Sequence, residues 1–242
     1  MELRDHFVRS GNWLFRWRSY LPLLLLAVVL LGVRDFTYPQ GSPALDEAWE
    51  ALCFAIGAAG LLVRAAALGY APEGTSGRNT RKQVAQVLNT TGMYSIVRHP
   101  LYLGNFLMWL SVAMLPRDWW APPLVGLVFW LYYERIMYAE EDFLRERFGD
   151  DFRAWARDTP AFVPDFRRWK APLGRFHWRR IVKREPAALL GLVASFAIFD
   201  LAEDLVVLRH LHVDPLWAGA FGSTLAVHAV LSLLRKRTRL FD

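Results

Sequence analysis

The sequence predicts an all-α membrane protein, a bundle of about six transmembrane helices. Hydrophobic residues make up 54% of its 242 residues, above the roughly 45–50% that soluble proteins average. Aromatic residues reach 14% and include 11 Trp, and Trp and Tyr are typical of the two lipid–water boundaries of a bilayer. The apolar residues are also gathered in separate blocks, which decide the fold class better than the averages do.

Six of these blocks approach the roughly 20 apolar residues with which a helix crosses a bilayer. They cover residues 20–33, 49–68, 101–115, 119–138, 186–201 and 216–234. A soluble domain of this length lacks the amphipathic helices that would be needed to cover six such blocks. Pro116, Arg117 and Asp118 separate the third block from the fourth, and we expect a tight helical hairpin there.

The loops between the blocks alternate in charge. Clusters of Arg and Lys precede the first block, separate the second from the third, follow the fourth and end the chain, whereas the other loops are acidic or nearly neutral. Because basic loops stay in the cytoplasm, we expect both termini and the long segments 70–100 and 139–185 to be cytoplasmic. The net charge of +6 then favours the bilayer and its anionic head groups as partners. No nucleic-acid-binding signature accompanies it.

The same pattern predicts three regions. Residues 1–70 hold spans one and two, residues 71–166 hold spans three and four with the polar segments, and residues 167–242 hold a basic interfacial segment and spans five and six. The first block lacks a small-residue cleavage motif, so we expect a retained span in a bacterial inner membrane. No metal site is expected, because Cys53 is the single cysteine and His210 with His212 supplies too few ligands. The sequence does not indicate an oligomeric state.

The first cytoplasmic segment contains the run GMYSIVRHPLYLG from residue 92 to residue 104. Pro100 suits the first turn of the third helix. A helix N-terminus offers free N–H groups to an anion or a cofactor carboxylate, and His99 stands directly before it. A solvated His99 at an interfacial helix cap is the simpler interpretation of the same residues.

The second cytoplasmic segment contains the run EEDFLRERFGDDFRAW from residue 140 to residue 155, and Pro160 and Pro164 follow it. Glu134 and Glu141 are seven residues apart and share one face of a helix. Carboxylates at the end of a span are costly unless they bind something. The alternative is that they only mark the point where the helix leaves the bilayer.

Together, these two segments resemble the isoprenylcysteine carboxyl methyltransferase and phospholipid methyltransferase superfamily. The resemblance rests on the runs 92–104 and 140–155 with the two prolines, and it covers roughly residues 75–165. It implies an integral membrane methyltransferase that binds S-adenosylmethionine in a cytoplasmic pocket between the two segments, without a Rossmann fold. The sequence agrees in having no Gly-x-Gly motif.

The resemblance also implies the residues of the site. Glu140 takes the position of the family's cofactor-binding carboxylate, and Arg135 is the candidate cation for the acceptor, so these two are the expected catalytic residues. Carboxylates suit the cofactor's ammonium and sulfonium, and a helix start suits its carboxylate. The expected cofactor-binding residues are Asn79, Gln86, Val87, Leu88, Asn89, Tyr94, His99, Pro100, Leu101, Tyr102, Glu140 and Glu141.

Two positions depart from the family pattern. Relatives that methylate a carboxylate carry an Arg four residues before the glutamate that aligns with Glu140, and this chain has Ile136 there with Arg135 beside it. An offset of one residue turns a side chain by about 100° around a helix, so the role of Arg135 stays open. Phe152 and Trp155 stand where relatives often have Tyr, which favours a packing role for both.

The charge of the predicted cytoplasmic surface narrows the choice of methyl acceptor. A basic cytoplasmic surface favours O-methylation of an anionic lipid or lipid-linked group, and such an acceptor needs cations to orient it but no base. A lipid phosphate, an isoprenylcysteine-like carboxylate and a phospholipid amine all remain open. The alternative from another enzyme class is an NADPH-dependent membrane reductase of the sterol and steroid type. Those reductases carry a motif related to residues 98–104 of this chain.

Overall fold

A computed structural model describes residues 2–18, 20, 26–27, 29–72 and 85–237. Asn79 and part of the first predicted span lie outside them. Within the described residues every regular element is a helix, so the predicted all-α class is confirmed there. The helices are α1 Leu3–Trp17, α2 Pro43–Gly69, α3 Met93–Ile96, α4 Pro100–Ala113, α5 Ala121–Asp158, α6 Trp178–Arg184, α7 Pro186–Val207 and α8 Pro215–Arg237.

Two of these helices are long and apolar enough to cross a membrane, namely α2 and the part Pro215–Arg235 of α8. Of the 18-residue apolar stretch in each helix, only 28% is buried inside the protein in α2 and 6% in α8. The core helix of a soluble protein would be mostly buried, so lipid is the better surrounding for both. Helix α4 is apolar but has 14 residues. The count of six spans and the hairpin of spans three and four stay predictions.

Proline and glycine set several helix boundaries. Helices α4, α7 and α8 each begin with a proline, whose fixed φ suits the first turn and whose missing N–H is not needed there. At the start of α8, the Asp214 carboxylate accepts hydrogen bonds from the N–H groups of Leu216 at 2.6 Å and Trp217 at 3.2 Å, which is a helix N-cap. Gly149 interrupts α5 with a φ of 54°, a conformation that favours glycine.

The contacts between Cα atoms divide the chain into two compact units. Unit 1 comprises Met1–Pro22, Leu62–Phe106 and Gly126–His177, and unit 2 comprises Leu23–Leu61, Leu107–Val125 and Trp178–Asp242. Helices α2, α4 and α5 contribute residues to both units. The runs 92–104 and 140–155 lie entirely in unit 1.

Unit 1 is built where α1 packs closely against α5. A Cβ added to Gly11 would lie 2.1 Å from the backbone oxygen of Arg135, so only glycine permits this approach. Nearby, the Tyr132 hydroxyl donates to the Leu14 carbonyl at 2.6 Å. This contact fixes the N-terminal helix to the helix that carries the second motif.

Unit 2 has an aromatic core. The rings of Phe54, Phe196 and Trp217 form a triangle with centroid distances of 5.2–5.8 Å, which joins α2, α7 and α8. Phe36 packs edge-on against Phe199 at 5.9 Å. Such pairs add roughly 0.5–1.5 kcal/mol each beyond the burial of their area.

We expect Gly11→Ala to lower the stability of the protein by roughly 1–3 kcal/mol, because the new methyl group would force α1 away from the Arg135 carbonyl. Gly126→Ala in α5 is the control, since nothing lies within 4 Å of a Cβ there. The control should be neutral or stabilising by up to about 1 kcal/mol. Thermal unfolding in detergent measures both, and equal effects would contradict the close packing of α1 on α5.

Candidate functional site

The two motif segments lie side by side in unit 1 and are joined through their backbones. The N–H groups of Arg98 and His99 donate to the carbonyls of residues 160–161, at 2.9 Å and 3.2 Å. The N–H of Asp165 donates to the Ile96 carbonyl at 2.9 Å. Residues 96–99 are therefore held against the stretch that follows α5, which brings His99 to the face of α5 that carries the paired glutamates.

His99 lies between these two glutamates. Its Nε2 is 3.0 Å from Glu141 Oε1, and its Nδ1 is 3.5 Å from Glu140 Oε2. Arg98 Nε is 2.9 Å from the same Glu141 oxygen, and Arg98 Nη1 donates to the Ala156 carbonyl at 2.5 Å. Two basic and two acidic side chains thus form one charge-balanced group at the start of α4.

The surroundings change the protonation of this group. Burial alone would lower the pKa of His99, but hydrogen bonds and charge attraction from Glu140 and Glu141 outweigh it, so the pKa of His99 is raised above its ordinary 6.5. Burial alone would raise the pKa of Glu141, but its hydrogen bond with His99, the His99 charge and Arg98 lower that pKa below 4.5. The imidazolium and the carboxylate therefore support each other's charge.

An aromatic stack continues from His99 along α4 and α5. The Tyr102 ring lies 5.7 Å from the imidazole at an interplanar angle of 20°, and the Tyr133 ring lies 4.8 Å from Tyr102. Phe129 stacks on Tyr133 at 4.2 Å. The Tyr102 hydroxyl also interacts with the Glu140 carboxylate. The stack is a rigid, largely apolar wall beside the charged group, as a site that excludes water requires.

Arg18, directly after α1, is a candidate site residue that the sequence did not single out. Its guanidinium carbon lies 3.7 Å above the Phe15 ring, and its charge acts on the hydroxyls of Tyr102 and Tyr133. Its Nη1 is buried and has no hydrogen-bond partner among the described residues. In the sequence it is one of four arginines before the first apolar block. Their charge was used only to predict which side of the membrane the N-terminus lies on.

Arg135, the expected cation for the acceptor, lies against α1 in the same unit. Its Nη1 donates to the Leu131 carbonyl one turn earlier at 3.0 Å, and its guanidinium carbon lies 5.3 Å from the Phe7 ring centroid. These contacts hold the side chain in a cation–π arrangement. Its role toward an acceptor stays a prediction.

The other expected residues differ in burial. Pro100 and Tyr102 are buried, and Leu101 and Tyr94 are half-buried. In the stretch before them, Gln86 and Val87 are exposed, and Leu88 and Asn89 are half-buried. Asn79 lies outside the described residues.

Phe152 and Trp155, which stand where relatives often have Tyr, have the packing role that the sequence favoured. Phe152 is buried, with the Trp155 ring edge-on to it at 5.8 Å. The Trp155 Nε1–H donates to the Tyr94 carbonyl at 3.0 Å. Trp155 therefore holds the second segment against the first, and Phe152 packs against Trp155.

Residues 52–151 match the family model described as phospholipid methyltransferase. The cobalt-zinc-cadmium resistance protein CzcN of Cupriavidus metallidurans is 34% identical over 128 residues, 50% of this chain and 57% of that protein. The nickel-cobalt-cadmium resistance protein NccN of Alcaligenes xylosoxydans xylosoxydans is 28% identical over 149 residues, 61% of this chain and 62% of that protein.

The protein-S-isoprenylcysteine O-methyltransferase of Schizosaccharomyces pombe is 31% identical over 85 residues, 35% of this chain and 36% of that protein. In each of these comparisons, the matched part is less than two thirds of the relative's own length. No solved structure matches the chain.

We expect the charge-balanced group to give the protein a pH-dependent stability. Because the pKa of His99 is raised above 6.5, its protonated form stabilises the fold fully below pH 6.5, and this contribution is lost as the pH rises through the raised value. Because the pKa of Glu141 is lowered from 4.5, its contribution is present above pH 4.5 and is lost as the pH falls through the lowered value.

The unfolding temperature of the wild-type protein should therefore exceed that of His99→Gln most clearly between pH 4.5 and 6.5, and the difference should shrink at alkaline pH. His6→Gln, at an exposed position of α1, is the matched control and should follow the wild-type profile. A difference that stays constant into the alkaline range would contradict the raised pKa of His99.

Proposed function

We propose that this chain, whose segment 52–151 belongs to the isoprenylcysteine carboxyl methyltransferase and phospholipid methyltransferase superfamily, is an integral membrane methyltransferase. Its methyl donor is S-adenosylmethionine, which supplies an activated methyl group on a sulfonium. Its acceptor is a lipid or lipid-linked molecule, methylated on an anionic oxygen of a carboxylate or phosphate. The observation that carries this proposal is that the Glu140 carboxylate and the Arg18 guanidinium both act on the Tyr102 hydroxyl in unit 1.

Glu140 is the carboxylate with capacity left for the cofactor. Glu141 is already held by His99 and Arg98 at 2.9–3.0 Å. Glu140 has a longer contact of 3.5 Å to His99, interacts with the Tyr102 hydroxyl, and keeps 29% of its side chain exposed. This less tightly held carboxylate suits an ammonium or sulfonium cation, and the N-terminus of α4 suits the cofactor's carboxylate. The donor set therefore fits S-adenosylmethionine.

Arg18 supports an anionic acceptor. A buried guanidinium nitrogen without a partner is costly, and an acceptor carboxylate or phosphate supplies two oxygens for it. Its charge already acts on Tyr102, whose hydroxyl interacts with Glu140. Arg18 therefore holds the acceptor oxygen on the side of the donor carboxylate, where positioning is the main contribution an enzyme makes to methyl transfer.

The proposed topology keeps six spans, with both termini and the site in the cytoplasm of a bacterial inner membrane. Residues 71–166 then form the catalytic core between two membrane regions, 1–70 and 167–242. Support comes from the apolar, largely unburied surfaces of α2 and α8. The basic α6, with Lys183 and Arg184 in its last turn, suits the cytoplasmic head-group layer.

We expect the detergent-purified protein to bind S-adenosylhomocysteine, and Glu140→Gln to weaken this binding by about 10- to 100-fold, because a hydrogen bond to a charged group contributes roughly 1.5–3 kcal/mol. Calorimetric titration measures the affinity. Glu146→Gln, six residues later in α5 with a 68% exposed side chain, is the matched control and should bind like the wild type.

Titration with NADPH in parallel tests the alternative class. Binding of NADPH without binding of S-adenosylhomocysteine would contradict the methyltransferase and favour a reductase. Equal weakening in Glu140→Gln and Glu146→Gln would contradict the specific role of Glu140 and point to a general loss of charge on α5.

We expect Arg18→Gln to lower kcat/KM for the acceptor by about 10- to 100-fold and to leave the affinity for S-adenosylhomocysteine unchanged. Arg16→Gln is the control, since that side chain is exposed on α1. Transfer of a radiolabelled methyl group to a prenylated cysteine, phosphatidic acid or phosphatidylethanolamine measures the rate. Labelled methanol released by mild base identifies a carboxylate ester, and label retained on an amine would contradict an anionic acceptor.

A further inference from the structure

The described residues of unit 2 bring five carboxylates together outside the methyltransferase motifs. Asp46 and Glu50 lie one turn apart on α2. Asp200, Glu203 and Asp204 lie within four residues of one another on α7. Residues three and four apart share a helix face. Asp46, Glu203 and Asp204 are almost fully buried, so the cluster is not a solvated acidic surface.

Basic side chains balance only two of these groups. Arg117 pairs with Asp46 and also donates to the Thr37 carbonyl at 2.7 Å. His212 Nδ1 lies 2.8 Å from Asp204 Oδ2. In the part of the chain that the structure describes, we find no basic side chain that forms an ion pair with the remaining three, which are Glu50, Asp200 and Glu203.

Two oxygens of these three carboxylates are buried without a hydrogen-bond partner. Glu203 is 4% exposed, and its Oε2 has no hydrogen-bond partner in the described part of the chain. Glu50 Oε1 is likewise buried and without a partner, whereas its other oxygen accepts a bond from Trp217 Nε1 at 3.4 Å. A buried, unpaired carboxylate oxygen is strongly destabilising, so both oxygens point to a missing ligand.

We propose that Glu50, Asp200 and Glu203 bind one hard divalent cation of the size of Mn²⁺ or Ca²⁺. One oxygen from each carboxylate lies within 4.8 Å of those of the other two. Oxygens bound to Ca²⁺ lie roughly 2.3–2.6 Å from the ion, so opposite ligands are separated by about twice that distance. A set of carboxylate oxygens also selects Mg²⁺, Ca²⁺ and Mn²⁺ over softer metals.

This site is independent of the proposed methyl transfer, because its ligands belong to unit 2 and none of them belongs to the methyltransferase motifs. A cation of charge +2 neutralises most of the excess negative charge of the five carboxylates. It also supplies a partner for the buried oxygens of Glu203 and Glu50. The competing way to stabilise the cluster is protonation, in which Glu203 would share a hydrogen with its neighbour Asp46. The experiment distinguishes a cation from protons.

The test titrates Mn²⁺ into the EDTA-treated, detergent-purified full chain and follows the six-line resonance of free Mn²⁺ by electron paramagnetic resonance. We expect one saturable site with a dissociation constant below about 1 mM, from which Ca²⁺ displaces Mn²⁺. Glu203→Gln and Glu50→Gln should each weaken binding at least about tenfold, by loss of a charged ligand. Bound Mn²⁺ should also raise the unfolding temperature of the wild type.

Glu47→Gln is the matched control, since this carboxylate lies on α2 three residues before Glu50 but is exposed; it should bind Mn²⁺ like the wild type. Absence of saturable binding to the wild type would overturn the proposal, and so would equal binding by Glu50→Gln, Glu203→Gln and the control. If Glu203→Gln fails to fold, Glu50→Gln decides. Binding of S-adenosylhomocysteine by the same preparation shows separately whether the proposed methyltransferase site is intact.

Discussion

The contact between the His99 imidazolium and two adjacent glutamates is the constraint on which the candidate site depends. Consecutive side chains on α5 point about 100° apart, so Glu140 and Glu141 can share one partner only if it lies between them. Backbone hydrogen bonds from residues 98 and 99 to residues 160–161 place the imidazole there. Arg98 also pairs with Glu141, so Glu140 is the less tightly held of the two carboxylates.

Ion pairing separates two sets of buried charges in the described part of this protein. Arg98 and His99 each lie within ion-pair distance of Glu141, which indicates that these three residues hold the site together. Arg18 Nη1 in unit 1 and Glu203 Oε2 in unit 2 are buried, and neither has a hydrogen-bond partner within the ranges that the structure describes. A stable fold tolerates few such groups, so each is best understood as half of an interaction completed by a ligand: an anion at Arg18 and a cation at Glu203.

Local sequence patterns predicted the helices and the two segments of the site because both depend on neighbours along the chain. The order of residues alone is enough to identify the hydrophobic blocks, the prolines at helix starts and the paired glutamates. Arg18 could not be found in this way, because its importance comes from Tyr102 and Tyr133, more than 80 positions away. The order of residues likewise did not show that Glu50 on α2 meets Asp200 and Glu203 on α7.

By itself, the sequence determined the all-α class, the apolar character of α2 and α8, the match of residues 52–151 to the phospholipid methyltransferase family, and the identity of Glu140 and His99 as candidate residues. These are properties of composition, of helical periodicity and of short motifs. Only the tertiary structure decided that Glu141 is held more tightly than Glu140, that the charge of Arg18 acts on Tyr102, and that carboxylates of α2 and α7 converge. The physical reason is that the state of a charged side chain depends on burial and on distant partners, which packing alone brings together.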